Sequence, residues 1–534
     1  MSAIRLEERA KDFQRGFNLD EAKRKRDQGH VELRKKKRLE HVAKKRALAG
    51  RVAETGTEES GEVRVDRECL GRELLERCEV LGREGCGEEK LRVLVGLVEG
   101  GDLNLQAKAL EALKKILSVD QNPPLQVLSS LNIAPSLRNL LLSSDEAILQ
   151  EATWIVLNLA AGPTDIVSGL VAAGCLPALI PLISHPNDDI ASLAIWALSN
   201  IAGDSLEHRD LVIAQGAIEI VMDLLAKPVQ RPIEQLEGLT WFLSNLCRGL
   251  PSPPDHLVDL ILPMLPVSLE HESPSIVADS CWILNYVTEG KGELGIDKVM
   301  CLGVEMALIA LMGSKNPQVQ IPALRTLGNI LTGNDSQAQY LLNLGLIDHL
   351  SNLMYSHNRE IRKEVLWCFS NIAAGSVEQV CLLSEHPCMS SIISSTSDPD
   401  NEVKREALWT IANMGHIHQQ SLLERLLSLR VLEALVQVLD LNDAALLLVA
   451  MEGIARVLKS AVDFQDKAAE TNDVAVLFEN LEGTTKLESL QSHPSMKVYE
   501  KSVEIIGQFF GLIEVTDENK EVGNGVPQGG FQFS

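Results

Sequence analysis

The chain has 534 residues, a net charge of −24 and few aromatic residues, too many residues for one compact core, so several domains or one elongated array are implied. No apolar run approaches the roughly 18 residues that cross a bilayer, and Arg5, Glu7, Glu8 and Arg9 at the start are unlike a secretory signal. Ten cysteines without a Cys-x-x-Cys pair or a Cys/His ligand set argue against zinc and redox chemistry and for reduced thiols in the cytosol or nucleus.

Residues 1–50 form a basic arm with the clusters Lys23 to Arg26, Arg34-Lys35-Lys36-Lys37-Arg38 and Lys44-Lys45-Arg46. Up to residue 51 there are 17 Lys and Arg against 8 Asp and Glu, a balance of +9 that leaves −33 for the rest. Such asymmetry suits an acidic body that takes cationic partners and repels the phosphates of nucleic acid, while the arm by its charge could bind either a nucleic acid or an acidic protein. The stretch Glu21 to Arg46 contains no proline and one glycine, which predicts a solvated helix stabilised by a partner. Residues 51–65, with Thr55-Gly56-Thr57 and Ser60-Gly61, read as a flexible linker.

Helical periodicity runs from residue 66 to about 512, with a first unit over Leu91 to Leu117. All six tryptophans lie in copies of one motif, of which Trp196-Ala197-Leu198-Ser199-Asn200 is the fullest. The copies start at Trp154, Trp196, Trp241, Trp282, Trp367 and Trp409, at steps of 42, 45, 41, 85 and 42. The long step holds one further repeat, with Arg325 at the Trp position and Asn329 four residues on. A period of about 40 to 47 residues is that of armadillo or HEAT arrays, and the absence of period-two alternation makes the chain all-α. Turn signals separate the copies, among them Ser184-His185-Pro186-Asn187 and Asn316-Pro317. Gly162, Gly203, Gly249, Gly290, Gly333 and Gly375 follow each motif by seven or eight residues, where a left-handed helix end is expected. After Trp409 the pattern weakens, with Arg456 at an Asn position, and a polar, glycine-rich tail at 513–534 reads as disordered.

Trp and Asn four residues apart share one helix face, so repetition makes a ladder of each. Polar and acidic residues stand three or four places before the tryptophans, among them Glu151, Glu237, Asp279, Glu364 and Glu406. A core face does not carry these, so the indoles are read as lying on an acidic, solvated face. Lys and Arg stems fit between indoles, at about 0.5–2 kcal/mol per cation–π contact. Asn amides can hold an extended peptide backbone, and Asp204, Glu237, Glu364 and Glu406 supply charge for the side-chain ends. The ligand so described is an extended, Lys/Arg-rich peptide.

These strings resemble the importin-α family of nuclear import adaptors. The resemblance spans most of the chain, through Val31-Glu32-Leu33-Arg34-Lys35, Trp196 to Ser205, Trp241 to Gly249, Pro322 to Ile330 and Leu490-Gln491-Ser492-His493. It implies a right-handed superhelical solenoid of about ten armadillo repeats behind a basic helical arm. It also implies a major site for nuclear localisation signals at Trp154, Asn158, Trp196, Asn200, Asp204, Trp241 and Asn245, with Asp204 pairing the deepest lysine. A minor site would comprise Arg325, Asn329, Glu364, Trp367, Asn371, Glu406, Trp409 and Asn413. By the same resemblance Arg34 to Arg38 would bind importin-β, Lys44-Lys45-Arg46 would occupy the chain's own groove, and an export receptor of the exportin class would be a further partner. The protein would then shuttle between cytoplasm and nucleus, passing the nuclear envelope transiently. Val167 and Ala338 stand where threonines are common in the family, Met414-Gly415-His416 shortens a usual turn, and Arg456 replaces an asparagine.

No cofactor or metal is implied, and the phosphate-loop, serine-hydrolase and zinc-protease signatures are absent, which argues against an enzyme. An armadillo scaffold binding other basic partners is the alternative, and the ladder joined to a basic arm favours the adaptor. A cluster tethered to its own groove acts at an effective concentration on the order of mM. Deleting residues 1–50 is therefore expected to tighten binding of a Lys/Arg-rich peptide in the absence of importin-β, and equal affinity of the two forms in a titration would refute self-occupation.

Overall fold

The computed structural model describes residues 88–100, 102–118, 123–227, 231–415, 419–464 and 472–510. The basic arm, the linker, residues 66–87 and the tail lie outside the described residues, as do His416 and the two residues after it. Every element among the described residues is helical. The expected unit over Leu91 to Leu117 is two helices, Glu88–Glu99 and Leu103–Leu117 (α1). The next repeats show the unit in full: a long helix Glu146–Ala160 (α2), a short helix Thr164–Ala172 (α3), two short turns over Cys175–Leu179 and Ile180–Ser184, and a long helix Asp188–Asp204 (α4). Leu206–Ala214 (α5) opens the following repeat. The later long helices are Ile233–Cys247 (α6), Pro274–Gly290 (α7), Pro317–Leu331 (α8), Arg359–Ala373 (α9), Asn401–Met414 (α10), Ala444–Phe464 (α11) and Met496–Phe509 (α12). The all-α repeat expectation is met.

Most of the long helices start where a short polar side chain takes up unpaired N–H groups; α6 starts after Pro232 instead, with no side-chain cap. Asp102, Asp145, Asn187, Asn316, Asp400 and Asp443 each accept from backbone N–H groups two or three residues on. Each such cap is worth about 1 kcal/mol, and their recurrence pins the helix starts. Before α7 the cap residue Ser273 makes no side-chain bond to the helix N–H groups, and Pro274 at the first helical position leaves one fewer to satisfy.

The left-handed residues sit elsewhere than expected. Of the glycines that follow the motifs only Gly249 has positive φ, at 83°, whereas Gly174 (81°), Gly216 (75°) and Gly345 (79°) turn the chain between the two short helices of a repeat. At Gly203 the constraint is close approach instead, because a Cβ there would meet the Asn245 amide of the next repeat at 3.1 Å.

The chain divides into two compact units between Ile372 and Ala373, at the last residue of α9. In the first unit α1 packs on α2, α2 on α4, α4 on α6, α6 on α7 and α7 on α8. Cys368 of α9 contacts the Leu324 carbonyl of α8 at 3.6 Å. In the second, α10 packs on α11 and α11 on α12. Fully buried leucines such as Leu198, Leu284 and Leu327 fill these contacts, each contributing about 1.5–3 kcal/mol.

The thiols belong to this packing. Burial pushes Cys175 up to about 12 and raises Cys281 further still, with Asp279 adding to the rise. Thiolate is the nucleophile, so iodoacetamide at about pH 8 is expected to label exposed Cys301 in the native chain and to reach Cys175 and Cys281 only after denaturation. Native labelling of either, read by peptide mass spectrometry, would contradict this account of the core.

Candidate functional site

The long helices bring the Trp and Asn positions of successive repeats side by side. Trp154, Trp196, Trp241 and Trp367 are 3–7 % exposed, while Trp282 and Trp409 are half-buried. The solvated face expected for the indoles is therefore corrected: these rings are largely covered. Part of the cover comes from neighbouring repeats. The rings of Trp196 and Trp241 lie 4.9 Å apart at a 38° tilt, a contact worth about 0.5–1.5 kcal/mol beyond its area. A Cβ at Gly238, on the helix that carries Trp241, would meet the Trp196 indole at 3.2 Å, and one at Gly328 would run into the Trp367 ring. Both glycines make room for an indole from an adjacent repeat.

The acidic residues that suggested a wet face are largely engaged within the chain. Glu151 pairs with Lys114 at 2.7 Å, Glu237 accepts from the Ser273 hydroxyl at 2.6 Å, and Glu364 pairs with Arg325 at 2.8 Å. Polar residues can thus line a packed face because a partner one repeat away satisfies them.

The Asn ladder has a geometry that the sequence did not disclose. Asn200 Nδ2 donates to the Leu157 carbonyl at 3.4 Å, Asn245 to Ser199 at 3.0 Å and Asn371 to Gly328 at 2.9 Å. Asn329 reaches the Asn285 carbonyl at 3.2 Å, together with the Asn285 and Thr288 side chains. In every case the acceptor is the residue just before the Asn position of the preceding repeat. Asn158 instead bonds the Trp154 carbonyl of its own helix at 2.8 Å. Since Nδ2 must face the carbonyl, the side-chain oxygen turns away. The Oδ1 atoms of Asn200 and Asn371 are buried without a partner in the structure, at a cost of about 1–3 kcal/mol each.

Arg456 at an Asn position makes the same bond, its Nη1 donating to the Ala412 carbonyl at 2.9 Å. Its Nε pairs with Glu452 at 3.0 Å, and Lys501 also pairs with Glu452 at 3.0 Å. Burial works to raise the Glu452 carboxyl, and the two cations outweigh it and hold the group below its ordinary range.

At the C-terminal end of α4, Asp204 gathers side chains from another repeat. Its Oδ1 accepts from the Thr164 hydroxyl at 3.2 Å, and its Oδ2 lies 3.1 Å from His208 Nδ1. His208 Nε2 lies 3.2 Å from Ser168 Oγ. Val167, where the family resemblance led one to look for a hydroxyl, is fully buried, and Thr164 supplies a hydroxyl to the carboxylate instead. Thr164, Ser168 and His208 were not singled out in the sequence. The signal was there: Thr164 stands 40 residues before Asp204, and Ser168 40 before His208.

Of the residues assigned to a second site, Arg325, Asn329, Glu364, Trp367 and Asn371 are gathered on α8 and α9. The Arg325 guanidinium lies 5.6 Å from the centre of the Trp282 ring as well as against Glu364, and Trp282 stacks on Tyr286 at 5.6 Å. Ala338 is buried. In the second unit α10 carries Glu406 and Trp409, both half-buried, and buried Asn413. The clusters Arg34 to Arg38 and Lys44-Lys45-Arg46 lie outside the described residues.

Comparison with known proteins gives three family descriptions. "Importin beta binding domain" matches residues 9–111, "Armadillo/beta-catenin-like repeat" matches 170–203 and 334–374, and "Atypical Arm repeat" matches 472–524. The chain is 33 % identical over 540 residues to importin subunit alpha-3 of Arabidopsis thaliana, covering 99 % of this chain and 97 % of that protein. It is 34 % identical over 451 residues to importin subunit alpha-1b of Oryza sativa subsp. japonica, covering 83 % of each. An engineered protein solved by the Northeast Structural Genomics Consortium superposes with a TM-score of 0.69 at 21 % identity, covering 79 % of this chain and 99 % of that one, a likeness of fold alone.

The amide bond between repeats predicts a stability effect. Asn245→Ala removes the second bond to the buried Ser199 carbonyl and is expected to cost about 0.5–1.5 kcal/mol, read as a lower urea midpoint. A midpoint equal to the parent's would show the bond to be dispensable.

Proposed function

The chain belongs to the importin-α family of armadillo-repeat adaptors for nuclear import, which are not enzymes, and from that premise we propose that it carries proteins bearing Lys/Arg-rich localisation signals. The signal lies extended along the Trp and Asn ladders. In the major site Trp154, Trp196 and Trp241 flank its basic stems, Asn158, Asn200 and Asn245 hold its backbone, and Asp204 receives one lysine. Arg325, Asn329, Glu364, Trp367 and Asn371, with Glu406, Trp409 and Asn413, serve a second basic cluster.

The observation that carries this reading is the pair of buried Asn oxygens. Asn200 Oδ1 and Asn371 Oδ1 are acceptors turned away from the carbonyl that their own Nδ2 bonds, and each is buried without a partner, one in each of the two sets of residues. A passing backbone N–H supplies the missing donor, and an extended peptide offers one at regular intervals. Glu364 is already paired with Arg325, so it acts here by holding that arginine more than by meeting cargo.

The arm links cargo to importin-β through Arg34 to Arg38, and in the absence of importin-β Lys44-Lys45-Arg46 competes for the groove. Release in the nucleus and return by an exportin-class receptor complete a cycle between cytoplasm and nucleus, with brief passage of the nuclear envelope.

Trp196→Ala is expected to weaken binding of a labelled Lys/Arg-rich peptide by about 30-fold, the scale of a buried aromatic anchor. Asp204→Lys should abolish the binding, and rising salt should weaken it in the parent chain. Fluorescence anisotropy on chains with matched thermal stability decides the matter. Retained affinity in both variants would make the ladders scaffold only and favour a protein that binds basic partners by another surface.

A further inference from the structure

We propose that His208 is a positioning residue of the lysine subsite at Asp204, and that its protonation weakens that subsite. The proposal rests on the reading above that Asp204 receives a lysine of the bound peptide. The juxtaposition is built from three segments. Thr164 and Ser168, one turn apart on α3, meet Asp204 at the end of α4 and His208 in the first turn of α5. Ser205 is the hinge between the last two: it is extended, at φ −145° and ψ 164°, and its hydroxyl accepts from the His208 N–H. The side chains of His208 and Asp204 are only 6 % and 5 % exposed.

The donor roles follow from chemistry. An ionised carboxylate only accepts, so the His208 Nδ1 facing Asp204 carries a proton. In the neutral ring Nε2 is then an acceptor, and the Ser168 hydroxyl donates to it. The two bonds to Asp204, from Thr164 on one oxygen and His208 on the other, fix the plane of the carboxylate. A carboxylate has roughly four lone-pair sites, so holding its plane by two bonds does not of itself exclude an ammonium. A pre-oriented carboxylate spares the ligand the cost of ordering it.

The same contact makes the subsite sensitive to pH. Imidazole changes charge between about pH 5 and 8. Neutral His208 adds no positive charge beside Asp204. Once protonated, the ring is a cation in contact with the carboxylate, and a second cation gains less there. The Ser168 hydroxyl adapts to either state, because it can donate to Nε2 or accept from it.

Other charged groups on the surrounding elements are committed or turned outward. Arg209 pairs with Asp210 and donates to the Arg248 and Pro251 carbonyls, and Arg248 donates to the Gly203 carbonyl. Asp165 on α3 accepts from Gln126, Asp223 pairs with Lys227, and Glu237 accepts from Ser273, while Glu207, Glu219 and Glu234 are exposed. The ring's own hydrogen-bond partners are Asp204 and Ser168.

The test compares the full parent chain with His208→Asn, His208→Phe and Asp204→Asn, using a fluorescent lysine-rich heptapeptide and anisotropy from about pH 7.5 to about pH 5.5. Asn keeps an N–H near the position of Nδ1 without titrating, whereas Phe keeps the bulk and loses the donor. The parent is expected to lose about tenfold in affinity on acidification, the scale of a charge-assisted contact, and the profiles of both His208 variants should be flatter. At the upper pH, Phe should weaken binding more than Asn, a partial rescue that bulk alone does not produce. Parallel profiles for parent and His208→Asn would overturn the proposal even if His208→Phe proves unstable. Should Asp204→Asn bind as tightly as the parent, the assignment of the lysine to Asp204 falls. If Asp204→Asn loses binding while the His208 variants follow the parent at every pH, only the role of His208 falls.

Discussion

One bond recurs through the molecule and the rest of the site depends on it: a side-chain N–H from the Asn position of one repeat to a backbone carbonyl of the repeat before. A long helix has its carbonyls committed to its own ladder, but a carbonyl has two lone pairs. The second one, on the residue just before the Asn position, is what the next repeat takes. Asn200, Asn245, Asn329 and Asn371 make this bond, so adjacent long helices are held in one register at the height of the motif. That register sets Trp196 against Trp241 and places Gly238 beneath the Trp196 ring. The indole ladder and the amide ladder are two consequences of a single alignment.

Under the proposed function one residue type serves both scaffold and ligand, and the bond gives a physical reason. With Nδ2 drawn to the neighbouring carbonyl, the orientation of the amide is fixed, and Oδ1 of Asn200 and of Asn371 is left without a partner. A fixed acceptor costs some stability while it is buried and unpaired, and it costs no reorganisation when a backbone arrives. A hydroxyl, which rotates freely, would lack this property, and an aspartate would offer no donor to the carbonyl.

Much of this was legible in the sequence, for reasons that can be stated. The spacing of Trp154, Trp196, Trp241, Trp282, Trp367 and Trp409 is a count along the chain, and a period near 42 admits few folds. The turn signals that end at Asn187 and begin at Asn316 fall at helix starts, where both residues cap, because a cap is a local interaction. The exposure of the indoles was misread because polarity at Glu151, Glu237 and Glu364 was taken as a sign of solvent. Their partners Lys114, Ser273 and Arg325 stand 36 to 39 residues away, beyond the reach of any local pattern. The left-handed glycines were placed at the wrong junction for a related reason. Gly203 is required by the Asn245 amide of the next repeat, and a contact between repeats looks in the sequence like a helix stop.

The two arginines that replace ladder residues separate these roles. Arg456 stands for an asparagine and keeps its bond, since a guanidinium N–H reaches the Ala412 carbonyl as an amide does. It brings no acceptor, because guanidinium has none, so the repeat stays joined to its neighbour without the side-chain oxygen that the proposed function assigns to a peptide N–H. Arg325 stands for a tryptophan and does the opposite. Its guanidinium lies near the face of Trp282 and against Glu364, the two kinds of contact a basic ligand side chain would seek. Asn329, one turn on, still bonds across to Asn285. At that rung the scaffold is intact and the place of a ligand cation is taken by the protein's own. An interruption of this kind does more than omit an indole: it occupies the gap with charge of the ligand's sign, and so separates the ladder into two stretches.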